Sequence, residues 1–102
     1  MYRVQYLPLA LDDLKGIVKY ITNTLEAPRA AGNLIKKFDK EVLKIAENPF
    51  RCHLYAQFEK LKHEYRVLNV DNYSLFYTVE KEYAEIHRVL HSQMNIVKIL
   101  ES

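Results

Sequence analysis

Hydrophobic and polar residues alternate in three consecutive segments of the last third of the chain, residues 65–70, 73–79 and 84–91. Alternation with a period of two is typical of β-strands. Only short breaks separate the segments, at residues 71–72 and at about residues 81–82. Because such short connections join neighbouring antiparallel strands, the pattern predicts a three-stranded antiparallel meander.

The first half of the chain shows the three- and four-residue spacing of amphipathic helices. The apolar positions are Leu14, Ile17, Val18, Ile21 and Leu25 in one helix and Ala31, Leu34, Ile35, Phe38, Val42 and Ile45 in the next. Pro8 and Pro28 suit the first turns of these helices, and Asn48-Pro49 ends the second. The short connection predicts an antiparallel helical hairpin, and Gly16 suggests a close approach between the two helices.

Residues 2–7 alternate as a short strand before Pro8, so the predicted order is β-α-α-β-β-β. This order predicts one α+β domain over residues 1–102, with a helical layer on one face of a sheet. The opposite face is expected to be open and partly polar, as a functional surface. The apolar tail, residues 95–100, is expected to pack as a short helix or a terminal strand.

Composition narrows the function classes. The chain has 102 residues, 49% of them hydrophobic, and a single cysteine, which excludes an internal disulfide and a cysteine-rich zinc site. No signal peptide or membrane-spanning run is apparent, so we expect a cytoplasmic protein without a membrane partner. The usual phosphate-binding and catalytic motifs are missing. His87 and His91 would lie about 13 Å apart in a strand, so no metal or cofactor is expected.

Basic residues crowd the entry to the meander, where Lys60, Lys62, His63 and Arg66 occur within seven positions. A net charge of +2 does not by itself indicate nucleic acid, and a solvated loop is the ordinary interpretation. Metal-independent RNA cleavage nevertheless needs an acid, a base and a cation. Arg66 and His91 could supply them; alternatively, Arg66 forms a surface ion pair and His91 only ends a strand.

Strand parity predicts which residues of the last strand share a face. It places His87, Val89 and His91 together and Ile86, Arg88 and Leu90 on the other face. Arg88 then falls among apolar residues. It is either buried in an ion pair or displaced by a β-bulge.

These elements together resemble the RelE/ParE superfamily of toxins from type II toxin–antitoxin systems, and more closely its ParE branch. The resemblance covers essentially the whole chain. The matching residues are Ala10, Asp13, Leu14, Ile17, Tyr20 and Ile21 in the first helix, Pro28, Ala30 and Ala31 in the second, Asn48-Pro49 after it, and the strand residues Tyr65-Arg66-Val67-Leu68, Tyr73, Leu75, Phe76, Tyr77, Val79, Ile86 and Arg88-Val89-Leu90-His91.

The resemblance implies a toxin of a plasmid-stabilisation type module, which blocks growth and which a cognate antitoxin neutralises in a hetero-oligomer. A disordered antitoxin segment would wrap the helical hairpin and the sheet; the residues that bind it are not assigned. Two targets are implied. ParE-like toxins inhibit DNA gyrase, whereas RelE-like toxins are ribosome-dependent mRNA endoribonucleases.

One departure from the nuclease pattern favours gyrase inhibition, since Ser74 occupies a position where RelE-type nucleases usually carry arginine. Residues 92–95 also lack the basic side chains that usually follow the fourth strand, but this segment is atypical for the ParE branch as well. Arg66 and His91 are the catalytic candidates only if the protein is a metal-independent endoribonuclease. A catalytically weakened toxin homologue is the remaining alternative. The residues expected to bind the target are Lys62, His63, Arg66, Tyr73, Tyr77, Arg88 and His91.

Overall fold

The computed structural model describes residues 1–101, except for the side chain of Phe58. The elements are β1 (Arg3–Tyr6), α1 (Pro8–Lys19), a π-helical turn (Tyr20–Thr24), α2 (Pro28–Glu47), a 3-10 turn (Phe58–Lys60), β2 (Arg66–Val70), β3 (Tyr73–Val79), β4 (Tyr83–His91) and α3 (Ile96–Glu101). This order confirms the predicted α+β class. Of the two structures expected for the tail, the helix is the one that forms.

The four strands form one sheet in the order β1-β4-β3-β2. The last three pair antiparallel, with Leu75 of β3 opposite both Leu68 and Val89, which confirms the predicted meander. Asp71 in the first hairpin has φ 53°, a left-handed conformation that aspartate adopts more readily than most residues. β1 runs parallel to β4. The helices α1 and α2 carry the chain from β1 at one edge of the sheet to β2 at the other, and the meander then returns it to β1.

One face of the sheet packs against the helical hairpin. The predicted stripe of α2 is buried at Ala31, Leu34, Phe38 and Ile45. Leu75, Tyr77 and Ile86 meet it from the sheet and belong to the same apolar cluster. Burial of one such large side chain stabilises the fold by roughly 1.5–3 kcal/mol, so this layer holds the hairpin and the sheet together.

The first helix departs from the prediction near its end. The N–H of Leu25 donates to the carbonyl of Tyr20, five residues earlier, in a π-helical turn that is wider than an α-helical one. Leu25 is 55% exposed, outside the predicted apolar stripe. The close helix approach expected at Gly16 is also wrong, because a Cβ added there would meet no atom within 4 Å.

A β-bulge interrupts β4 at His87. Tyr77 lies opposite Ile86, and the preceding residue, Phe76, lies opposite Arg88. His87 is therefore an extra residue between two paired positions. Such an insertion changes which face the following side chains occupy.

The bulge overturns the predicted parity of β4. Ile86 and Val89 both belong to the apolar cluster beneath the helices, whereas Leu90 belongs to a cluster on the opposite face. The expected grouping of Ile86 with Arg88 and Leu90 is therefore wrong, as is the grouping of His87 with Val89. A period of two cannot be carried through an inserted residue.

The second face of the sheet is not open, contrary to the prediction. The loop over residues 55–65 and α3 cover it and bury a second cluster, which comprises Tyr65, Phe76, Leu90 and Leu100. Tyr55 and Tyr65 meet the Phe76 ring edge-on, with centroid distances of 5.2 and 6.4 Å. β3 is thus covered on both faces, so the face that was expected to be exposed is mostly core.

Candidate functional site

A cleft lies on the second face of the sheet, between the bulge of β4 and the loop and helix that cover this face. It lies between β4, residues 62–65, α3 and the start of α1, and it encloses about 410 Å³. Its polar lining residues are Lys62, His63, Tyr65, His87, Arg88 and Glu101. Residues 7–9 and the end of α3 provide apolar walls. We refer to it as the histidine cleft.

Three rings meet in the histidine cleft. The centroids of His63 and His87 lie 5.2 Å apart, and Tyr65 meets His87 edge-on at 5.2 Å. Nε2 of His87 lies 3.0 Å from Oγ1 of Thr78, so the two share a hydrogen bond. Because Ile86 packs under the helices, the next residue, His87, lies on the face that carries Tyr65 and Thr78. The bulge then brings Arg88, which pairs with Phe76, onto the same face.

The surroundings of His87 favour its neutral form. Burial lowers the pKa of His87 from its ordinary value of 6.5, and the neighbouring His63 lowers it further. Glu85 and Glu80 raise this pKa, but by less. His87 is therefore mostly uncharged at pH 7. Burial also raises the pKa of Tyr65, an effect that the charge of Arg88 opposes.

Arg88 is anchored to α1 by Asp13. Its Nε and Nη2 donate to the two carboxylate oxygens over 2.8 and 2.9 Å. The backbone N–H of Val89 in β4 donates to Asp13 Oδ2 over 2.9 Å, so the same carboxylate binds both the side chain of Arg88 and the backbone of the next residue. The hydrogen bonds with Asp13 raise the pKa of Arg88. Both possibilities left open for Arg88, an ion pair and a bulge, are therefore realised.

Arg66 fastens the loop after α2 to the sheet. Its Nη1 donates to the carbonyl of Cys52 over 2.6 Å, and its guanidinium carbon lies 5.1 Å from the centroid of the Phe50 ring. These contacts replace the surface ion pair that was one alternative. Lys62 and His63 separate the histidine cleft from a shallower recess that Arg66 lines.

Tyr77 lies in the core rather than on a binding surface. Its side chain is completely buried, and its hydroxyl donates to the carbonyl of Pro49 over 2.7 Å. Burial raises the pKa of Tyr77 strongly, with a further contribution from Cys52. The target contact expected of Tyr77 is therefore corrected to a structural role, because both the ring and the hydroxyl are already engaged.

Tyr73 and His91 line a different surface, a groove between α1 and the end of β4. Gly16 and Tyr20 form its opposite wall. The His91 ring meets Tyr73 edge-on at a centroid distance of 5.4 Å, and its Nδ1 accepts the N–H of Gln93 over 3.2 Å. We refer to this surface as the α1 groove.

The structure does not bring the two catalytic candidates together. Arg66 is paired with Tyr77 of β3, whereas His91 is paired with Tyr73, four residues away along the same strand. At about 3.3 Å per residue this offset alone is about 13 Å. Moreover, Arg66 and His91 lie on the strands that flank β3 on either side.

Sequence reasoning identified Lys62, His63 and Arg88, which the histidine cleft joins, but it missed Tyr65 and His87 as members of the site. Tyr65 was assigned only to the start of a strand. Alternation from Ile86 places His87 on the face where it lies, but the sequence does not mark the bulge that brings Arg88 onto the same face.

The described residues were also compared with the requirements of metal sites and membrane spans. Within residues 1–101, no group of three or more His, Cys, Asp or Glu side chains is arranged to hold a metal ion. No described helix is both long and apolar enough to cross a bilayer.

Comparison with known proteins identifies the family of this chain. Residues 4–96 match the family described as ParE toxin of type II toxin-antitoxin system, parDE. A solved chain from "Chromosomal ParDE TA system from P. aeruginosa" superposes with a TM-score of 0.74 at 16% identity, over 91% of this chain and 98% of that chain. That identity supports the fold alone. No curated protein sequence matches. Because the family match spans most of the chain, this chain belongs to the ParE toxin family of type II toxin–antitoxin systems.

Proposed function

We propose that this protein is a growth-inhibiting toxin that acts on DNA gyrase in the cytoplasm and that a cognate antitoxin neutralises it. The match of residues 4–96 to the ParE toxin family carries the proposal. The similar solved structure is described as a ParDE toxin–antitoxin system, which supports the partnership with an antitoxin.

The geometry supports a binding protein over a ribonuclease. Arg66 is engaged by the carbonyl of Cys52, and His91 lies on another strand and in another groove. Ser74, at the position where nucleases usually carry arginine, is buried and donates to Asn69 Oδ1 over 2.7 Å. A charged side chain at that position would meet a covered sheet face. These contacts favour inhibition by binding, in which the toxin need not transfer protons.

Two surfaces remain for the target among the residues originally expected to bind it. The histidine cleft contains Lys62, His63 and Arg88, and the α1 groove contains Tyr73 and His91. Aromatic and cationic side chains of this kind are enriched at the centres of protein interfaces. We propose that gyrase contacts one or both of these surfaces.

The antitoxin has a separate candidate surface on the helical hairpin. An apolar groove there is lined by Leu11, Leu14, Val18 and Ile35 and flanked by two lysines. An amphipathic segment with acidic residues would complement this surface. Leu11→Lys is expected to leave the toxin active but to weaken neutralisation, because Leu11 is 43% exposed. Leu43→Lys, on the more exposed Leu43 of α2, is the matched control and should be neutralised normally.

The decisive experiment expresses the protein without its antitoxin and assays gyrase and messenger RNA in parallel. We expect growth arrest, a DNA-damage response and trapped complexes of gyrase with cleaved DNA. Purified protein should inhibit supercoiling, while transcripts on ribosomes stay intact. Cleaved transcripts with unaffected gyrase would overturn the proposal in favour of the endoribonuclease, which Arg66→Ala or His91→Ala should then inactivate. Normal growth at full expression would instead indicate a weakened homologue.

A further inference from the structure

Cationic side chains and imidazoles meet in the histidine cleft. Lys62 and Arg88 supply two permanent cations, and His63 and His87 supply two imidazoles. The carboxylates that face them are Asp13, which pairs with Arg88, Glu101 of α3 at the cleft, Glu64 in the recess beside Lys62 and His63, and Glu85 and Glu80, which act on His87.

Several hydrogen-bond donors in this cleft have no protein acceptor. Asp13 occupies Arg88, but within residues 1–101 no ion pair or hydrogen bond engages the side chains of Lys62 or His63. Both are exposed, whereas His87 is half-buried behind them. The cleft therefore presents an accessible ammonium and an accessible imidazole in front of a sheltered one.

The spacing of the two imidazoles indicates the charge of the missing partner. With ring centroids 5.2 Å apart, protonated His63 and His87 would repel each other. An anion with several oxygens, placed against both rings, would offset that repulsion and accept a hydrogen bond from each. Apolar walls from residues 7–9 and α3 limit access of water, which strengthens such charge-assisted bonds.

We propose that the histidine cleft binds a phosphate group, with Lys62, His63 and Nδ1 of His87 as its direct donors, since Nε2 of His87 already shares a hydrogen bond with Thr78. A tetrahedral phosphate can accept from three directions at once, and lysine is a common phosphate ligand. The phosphate would belong either to a small phosphate monoester, such as a nucleotide, or to a nucleic-acid backbone. Binding involves no covalent step, and it is independent of whether gyrase is the target.

The histidine ring signals of the purified full-length chain provide a direct test by NMR. Inorganic phosphate, adenosine monophosphate and a short single-stranded oligonucleotide without terminal phosphates are titrated separately. We expect saturable shifts at His63 and His87 and a raised pKa for His87 in the bound state. His53 and His91 lie outside the cleft and should not respond. The monophosphate and the oligonucleotide distinguish the two sources of the phosphate.

The affinities of three surface variants show whether phosphate binds at a specific site or is attracted to any basic side chain. Lys62→Ala should weaken binding about tenfold, as expected for one charge-assisted contact. Lys60→Ala removes the same charge two residues away, from a residue that does not line the cleft, and should change the affinity little. Glu101→Gln should strengthen binding roughly threefold, because it removes a like charge from the cleft. None of the three side chains is buried.

Protonation supplies an additional readout. The cleft loses positive charge when His87 deprotonates, so affinity for the oligonucleotide, whose phosphodiesters keep their charge, should fall as the pH rises from about 6 to about 8. The proposal is overturned if no probe binds saturably, if Lys60→Ala and Lys62→Ala weaken binding equally, or if His53 shifts as much as His87. A failure here leaves gyrase inhibition untouched, and inactivity on gyrase leaves phosphate binding measurable.

Discussion

Among single residues, Asp13 connects the first helix with the last strand, 75 positions away along the chain. It accepts two hydrogen bonds from Arg88 and one from the N–H of Val89. Asp13→Ala would leave a partly buried guanidinium without its counter-charge and an edge N–H without an acceptor. We expect the free energy of unfolding to fall by about 2–4 kcal/mol, measured by urea denaturation.

The exposed pair of Lys37 and Asp71 is the matched control. Their charged atoms lie 3.1 Å apart, but the side chains are 57% and 49% exposed. Lys37→Ala should therefore cost less than about 1 kcal/mol. A comparable loss in both variants would show that burial and the Val89 contact add nothing to the Asp13 ion pair.

The residues of the sites were only partly predictable from the sequence. Lys62 and His63 stood out because basic residues cluster before the meander. Tyr77 was misassigned because alternation cannot reveal that both faces of its strand are covered. The position of Arg88 beside His87 was not predictable because it depends on a bulge, and one inserted residue is decided by packing across strands rather than by local sequence.

At the scale of elements, substitution of Gly16 tests whether the two helices of the hairpin approach closely at this residue. A Cβ at Gly16 or at Gly32 would meet no atom within 4 Å. Because glycine is less favourable than alanine inside a helix, Gly16→Ala should raise the free energy of unfolding by up to about 1 kcal/mol. Gly32→Ala should raise it by a similar amount. Thermal denaturation of the two variants checks this. Destabilisation by Gly16→Ala alone would restore the idea of a close approach at that residue.

The terminal helix offers a second test at this scale, since α3 covers the face that was expected to be open. Leu100 is 6% exposed and packs in the second cluster. Leu100→Ala should lower the free energy of unfolding by about 2 kcal/mol or more in a urea titration.

Leu43, which is 62% exposed on α2, provides the control for the same chemical change. Leu43→Ala should be close to neutral, because leucine and alanine both favour helices. If the two leucine variants were equally stable, α3 would not form part of the core.

The whole molecule should lose stability in alkali. Burial, with a smaller effect of Asp39, raises the pKa of Tyr6 from 10.0 to about 12. The folded state therefore keeps a proton that the unfolded chain loses. This stabilisation is complete below about pH 10 and is lost as the pH rises toward about 12. In urea denaturation across this range, Tyr6→Phe should lose stability less steeply than the parent. Identical slopes would contradict the assigned cause.

At the scale of the whole molecule, the sequence predicted the order of the elements but not the loop and helix that cover the second face of the sheet. Periodicity predicted the order of strands and helices because each element alternates with its own period. The parallel place of β1 beside β4 and the cover over the second face depend on contacts between distant segments. The loop over residues 55–65 carries little periodic signal, so its packing on Phe76 was not foreseeable.

The pairing of β1 with β4 has a consequence for when the proposed binding surfaces form during synthesis. β1 is synthesised first, yet the strand that it borders comes from residues 83–86, near the other end of the chain. Synthesis proceeds from the N-terminus, so a growing chain has no completed sheet until translation is nearly finished. Both surfaces proposed to contact the target also need β4. A polypeptide that ends before residue 83 would lack both, so only finished copies could bind the proposed target.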